Sequence, residues 1–197
     1  MHLHRPKKIP SKILTVNQLE EFGRVQLSPS FFMRDFLYSE ISQIENIPNI
    51  PHYPEAAIET GSMLCQKVLE PLQKAFGRIS IRSGYRCPEV NAKGAENKNQ
   101  YRCASNERNY ARHIWDYPDK HGNYGAMACV VVNSYLKHYA TTKDWETLSL
   151  WLTENLSDYS EIHFFPKLCA FNISWSETPK KIIRSSIRNS KMCGTHC

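Results

Sequence analysis

The chain has 197 residues, 41% of them hydrophobic and 22% charged, which suits one globular domain with a core that needs no disulfide staples. No run approaches the roughly 18 uninterrupted apolar residues of a membrane helix, and the net charge of +6 is not a nucleic-acid footprint. Arg5, Lys7, Lys8 and Lys12 lie unopposed near one end, Lys180, Lys181, Arg184, Arg188 and Lys191 near the other, and the segment between them is near −3; a nucleic-acid binder gathers positive charge on its folded face.

Seven cysteines, and a basic first dozen residues that lead into no apolar stretch, point to free thiols, no secretory signal and a cytoplasmic location. Cys193, His196 and Cys197 crowd the C-terminus, but a tail cluster without a second half is a poor zinc signature. The expected organisation is a basic N-terminal arm over 1–27, a domain over 28–185 and a basic, Cys-containing tail over 186–197.

Within the arm one short helix is expected near 16–22, and the apolar density of 30–37 predicts a segment packed on the core. Pro48, Pro51 and Pro54 punctuate a connector. Ala57, Ile58, Leu64, Cys65, Val68, Leu69, Leu72 and Phe76 recur at helical spacing. They predict a long helix over 54–76 that starts at Pro54, is kinked or split by Pro71 and stops at Gly77. Residues 79–83 alternate apolar and polar as a half-buried strand does, and Gly84 ends them. Residues 88–109 are polar and Asn-rich and read as a long loop, a kind that is often functional. A buried strand over 128–132, helices around 135–139 and 144–156, and strands over 161–165 and 171–175 follow, with Asp144 a helix N-cap. Strands and helices mix without strict alternation. The fold class is therefore α+β, a small, mostly antiparallel sheet covered by helices.

Four stretches carry residues of types that can do chemistry. Ser83-Gly84-Tyr85-Arg86 leaves a strand, where the planar fork of an Arg can hold a carboxylate through two charge-assisted hydrogen bonds. In Arg112-His113-Ile114-Trp115-Asp116, a His and an Asp three apart can face one side of a turn, as a metal pair or as an oriented His. Gly125-Ala126-Met127-Ala128-Cys129 enters a strand with small residues that allow close backbone approach. Glu161 and His163 share one face of a strand, a carboxylate beside an imidazole. Each stretch taken alone reads more readily as a surface turn, a packed His, an inert buried thiol or an exposed polar pair.

In order and type together, these stretches resemble the D-alanyl-D-alanine carboxypeptidase group of zinc peptidases, whose fold is shared with hedgehog signalling domains. The resemblance runs from about Phe31 to Ile183. Its most specific part is Ile81-Arg82-Ser83-Gly84-Tyr85-Arg86-Cys87-Pro88-Glu89-Val90-Asn91, which looks like the family's strand, Ser-Gly-Tyr-Arg turn and trailing Asn. The stretches at Arg112–Asp116, Gly125–Cys129 and Phe164-Phe165-Pro166 look like a divergent bacterial branch of the group.

The resemblance implies one zinc ion held by a His, an Asp and a second His, with a Glu activating zinc-bound water against a peptide carbonyl. The implied substrate is a peptidoglycan stem peptide or related D-amino-acid peptide. By position, Arg86 would stabilise the oxyanion or hold the substrate's terminal carboxylate, with Ser83, Tyr85 and Asp116 beside the substrate. His113 would be the first ligand, with His121 competing for that place. The chain departs from the family's pattern in a longer gap after His113 and at two ligand positions. Cys129 stands near the place of the Asp, and a thiolate binds zinc well. Ser176, not a His, follows Trp175, so His163 is expected to supply the last ligand from the neighbouring strand, with Glu161 as base.

Three functions follow. The first is a zinc D,D-carboxypeptidase or endopeptidase acting through His113, Cys129, His163 and Glu161, reaching the wall through a membrane pore or acting on wall precursors. The second is a relative that keeps the fold and binds a peptide or protein partner without hydrolysis. The third is a thiol hydrolase with Cys129 as nucleophile.

Overall fold

The computed structural model describes residues 9–96 and 101–187. The Cys193, His196 and Cys197 cluster and the ends of both basic segments lie outside these residues.

Thr15 opens the first helix, α1 (Val16–Gly23), with a reciprocal cap: its hydroxyl accepts from Gln18 N at 3.2 Å, and Gln18 Oε1 accepts from Thr15 N at 3.1 Å. Ile13, Phe22, Val25 and Leu27 are buried in the same core as Leu64 and Leu72. The arm expected over 1–27 therefore joins the domain from about Ile13. Met33 and Phe36 are buried on a 3-10 turn (Met33–Phe36), as the apolar density there predicts, and α2 (Glu40–Glu45) follows.

The long helix runs in three parts: α3 (Pro54–Leu64), a π-turn (Cys65–Leu69) and α4 (Glu70–Phe76). Pro71 has no N–H to donate, and its ring collides with the carbonyl four residues back in a regular helix. The wider π-turn just before it absorbs the mismatch that the sequence marks as a kink. Gly77 ends the rod with a φ of 76°.

One five-stranded sheet has the order β1-β2-β4-β3-β5. Its strands are β1 (Ile79–Ser83), β2 (Gly125–Val132), β3 (Glu161–Phe164), β4 (Phe171–Ser176) and β5 (Ile182–Ser185). All pairs are antiparallel except β3 with β5. The expected α+β class and mostly antiparallel sheet are thus observed. β5 has no sequence signal of its own: four residues are too few to show alternation, and the strand forms on the backbone groups that β3 leaves unpaired.

Residues 88–109 differ from the expected loop. α5 (Pro88–Glu96) and α6 (Asn106–Asn109) occupy much of the segment. Pro88 and Glu89 favour a helix start. Only Val90, Asn91 and Gly94 of α5 are buried, so the apolar stripe that marks a helix in sequence is nearly absent. After β2 come α7 (Leu136–Thr142) and α8 (Glu146–Asn155). Asp144 caps α8 by accepting from Thr147 N at 3.0 Å.

The side-chain period of two gives the sheet two different faces. Ala126, Ala128 and Val130 of β2, Ile162 and Phe164 of β3, and Phe171 and Ile173 of β4 enter the core, where α3 packs on β2 and β4. The opposite face carries a row of partly exposed polar side chains beside the buried Met127, Val131 and Glu161. Among the described residues no helix is long and apolar enough to cross a membrane.

Candidate functional site on the polar sheet face

Strand register lines up one row of side chains across that face. Ser83 pairs with Cys129, Cys129 with Asn172, Asn172 with His163, and His163 with Arg184. Ser83, Cys129, Asn172 and His163 of the row are partly exposed and Arg184 is exposed, while the chain neighbours Val130, Ile162, Phe164, Phe171 and Ile173 are buried on the other face. A bulge between Ile81 and Ser83 shifts the end of β1, and bulges of this kind re-aim the side chains that follow them.

The turn carrying His113 fills the sheet edge beyond the end of β1. Arg112 O accepts from Met127 N at 2.9 Å, and Trp115 Nε1 donates to Met127 O at 3.0 Å. Arg86 N donates to His113 O at 2.8 Å. Gly125 makes the approach feasible: a Cβ there would sit 2.6 Å from Ala111 O and 2.8 Å from Trp175 O. The small residues of this stretch thus do what their size predicts.

His113 is buried, and its Nδ1 lies 2.8 Å from Gly84 O. A carbonyl only accepts, so Nδ1 carries the proton and Nε2 keeps its lone pair. The ring interacts with the Asn172 side chain. Burial, then the charges of Arg86 and Arg112, hold His113 well below the usual imidazole range, so it is neutral. Burial pushes the Cys129 thiol up to about 11, against the pull of Arg82 and Arg86.

Glu161 is the anionic hub of this face. Its side chain is 8% exposed and meets Arg112, Lys180 at 3.3 Å and Arg184 at 3.5 Å. Burial works to raise its carboxyl, but the Arg112 and Lys180 charges outweigh it and hold the group below the usual carboxylate range. Lys180 and Arg184 are therefore part of the folded face rather than of a solvated tail.

The other predicted site residues have structural posts. Asp116 is buried, and its Oδ2 accepts from His52 N at 2.8 Å and Tyr53 N at 3.1 Å, capping the start of α3 from a distant turn. Tyr85 is wholly buried, edge-on to Trp115. Neither lies on the open row. Arg86 turns inward, and its Nη1 meets Cys103 Sγ at 2.7 Å. His163 is partly buried, with Nε2 2.8 Å from Ser186 Oγ and its ring against Phe165. His121 sits on an exposed turn whose backbone is held by Asp119.

The fold sets His113 and Cys129 each beside Asn172, where the sequence pattern anticipates His113, Cys129 and His163 together. The residue that sequence reasoning misses is Asn172. Its strand is legible, but its place between Cys129 and His163 depends on register. Among the described residues no three His, Cys, Asp or Glu side chains gather closely enough to hold a metal ion. The donor set agrees: His113 and Cys129 are zinc ligands by type, but an amide at the third place is not, and a catalytic zinc uses three protein ligands. The side chains present do not fit such an ion, and Glu161 is engaged by cations rather than free to serve a water.

No family model matches this chain, and no curated protein or solved structure matches it.

Proposed function

We propose that this domain binds the carboxylate end of a peptide on the polar face of its sheet and does not cleave it. The observation that carries the reading is the Asn172 amide in the row between Cys129 and His163. An amide donates to and accepts from a peptide backbone but neither holds zinc nor takes a proton. The surrounding charge fits an anionic group, with Arg112, Lys180 and Arg184 sharing one carboxylate, Glu161. The resemblance to D,D-carboxypeptidases suggests a D-amino-acid peptide as the ligand.

One observation favours a metal-dependent peptidase as the second reading. His113 is neutral and its Nδ1–H is fixed by a carbonyl, the way a ligating imidazole is oriented. In such an enzyme His113 and Cys129 would hold the ion.

The two readings separate in one experiment on the full chain, purified without chelator. Zinc content is measured by elemental analysis. A D-Ala-D-Ala-terminated peptide and its C-terminal amide are titrated by calorimetry, with mass spectrometry of the peptide afterwards. Non-hydrolytic binding predicts an intact peptide and at least about tenfold weaker binding of the amide. Stoichiometric zinc with release of D-alanine would establish the peptidase instead, and no binding of either peptide would sink the first reading.

A further inference from the structure

Where α3 meets the ends of β2 and β4, a pocket of about 450 Å³ is lined by Glu59, Thr60 and Met63 of α3 and by Tyr124, Trp175 and Glu177. That volume is in the range of small-ligand sites. Trp175 has the strand parity of the buried Phe171 and Ile173, so the pocket lies on the helix side of the sheet, away from the row through Asn172. Trp175 packs against the core and is only partly buried, which fixes the indole and leaves part of it for a ligand. Glu177 is held at two points. Its N–H donates to Tyr124 O at 3.0 Å, and its Oε2 accepts from Tyr124 N at 2.7 Å.

The walls combine two aromatic rings and two carboxylates with no basic residue. Four other clefts each carry a base in their own walls: Lys12 in two of them, Arg34 and Arg78 in the others. Among the described residues, neither Glu59 nor Glu177 forms an ion pair. Nor does a described Lys or Arg nitrogen stand over Tyr124 or Trp175. Lys180 and Lys181, the next bases along the chain from Glu177, meet Glu161 and the Tyr159 ring instead. The chain has 25 basic and 19 acidic residues, so two unpaired acids beside two rings do not reflect a shortage of cations. Ring faces and carboxylates both attract positive charge, and here they converge on one cavity.

We propose that this pocket is a binding site for an alkylguanidinium, the chemistry of an arginine side chain. The planar cation lies on the Trp175 indole and donates its N–H groups to Glu59 and Glu177, while the alkyl stem runs along Met63. A guanidinium suits these walls better than an ammonium. It stacks on an aromatic face, is more weakly hydrated, and presents a fork of donors that matches carboxylates. The site is separate from the sheet face and does not depend on what binds there.

The test titrates the full chain with Nα-acetyl-arginine methylamide, which has no free carboxylate and so does not engage the sheet-face reading. Its citrulline counterpart has nearly the same shape without the charge. Calorimetry gives affinities, and the indole N–H signals of 15N-labelled protein locate the site, with the Trp175 signal assigned by Trp175→Phe. The arginine compound is expected to move the Trp175 signal and to bind at least about tenfold more tightly than the citrulline compound. Glu59→Gln with Glu177→Gln is expected to weaken it at least about fivefold. Glu59 is exposed on α3, so Glu59→Gln alone tests the acid without disturbing the Tyr124 clamp, should the double variant fail to fold. Equal affinity for n-butylguanidine would place recognition in the free cation, and tighter binding of the blocked arginine would point to an arginine of a polypeptide; both support the site. A still Trp175 signal at millimolar ligand overturns the proposal. So does equal binding of the citrulline compound, or an unchanged affinity in a folded Glu59→Gln protein.

Discussion

Arg112, on the turn before β2, closes on Glu161 of β3, two elements that β2 and β4 separate in the sheet order. The pair straps the polar face, and Glu161 is the member that matters more. It is nearly buried and answers three cations, whereas the Arg112 side chain is 31% exposed and answers one acid. Glu161→Gln leaves three cations without their common anion and is expected to cost about 2–4 kcal/mol. Arg112→Ala leaves Lys180 and Arg184 in place and is expected to cost about 1 kcal/mol. Urea unfolding of the two variants checks the order, and the reverse order would remove Glu161 from its central role.

Acidification should destabilise the fold in two stages. His113 is held neutral, so the unfolded chain binds more protons than the folded one once pH falls below about 6.5. The stability it contributes is present above that pH and is lost as pH falls toward its depressed folded value. His163, lowered by burial and then by Arg184, acts in the same direction. Glu161 is also depressed, so its contribution is present above about pH 4.3 and is lost below it. A single such group gives a slope of at most about 1.4 kcal/mol per pH unit. Unfolding free energies measured across this range should show a shallower slope between about pH 6.5 and 5 in His113→Gln than in the wild type.

Asn172→His tests the donor-set argument by gain. The substitution would put an imidazole beside Cys129 in the row that also meets His113, completing three ligands of zinc-binding type. Zinc by elemental analysis is expected to rise from background to about one ion per chain. An unchanged zinc content would show that the row does not converge on a point where an ion can sit.

Asp116 is expected to behave as a helix cap. Asp116→Ala removes the acceptor for two backbone N–H groups at the start of α3 and should cost about 1–2 kcal/mol. Asp116→Asn keeps an acceptor oxygen and should cost less. Neither change should alter peptide binding once the protein is folded, and a selective loss of affinity in a stable Asp116→Asn protein would restore it to the ligand site.

Local chemistry made much of the fold legible. The apolar spacing from Ala57 to Phe76 places the long helix, and the alternation at 79–83 places β1. Both signals are written within a few residues of where they act. α5 was hidden because its buried side is made of Val90, Asn91 and Gly94, which make no apolar stripe. β5 was hidden because its reason to exist is the edge of β3.

Residue spacing alone fixes which side chains can share a face. Period-two alternation puts Glu161 with His163, and it puts Cys129 and Asn172 opposite their core-bound neighbours. The small residues from Gly125 likewise signal that another backbone can approach closely there. That Asn172 stands between Cys129 and His163, that Glu161 serves three cations, and that Arg86 turns inward to a sulfur is settled by the packed fold. Those outcomes depend on pairing between segments far apart in the chain. A strand's own pattern chooses its face, while the neighbours it finds choose the row in which each side chain stands.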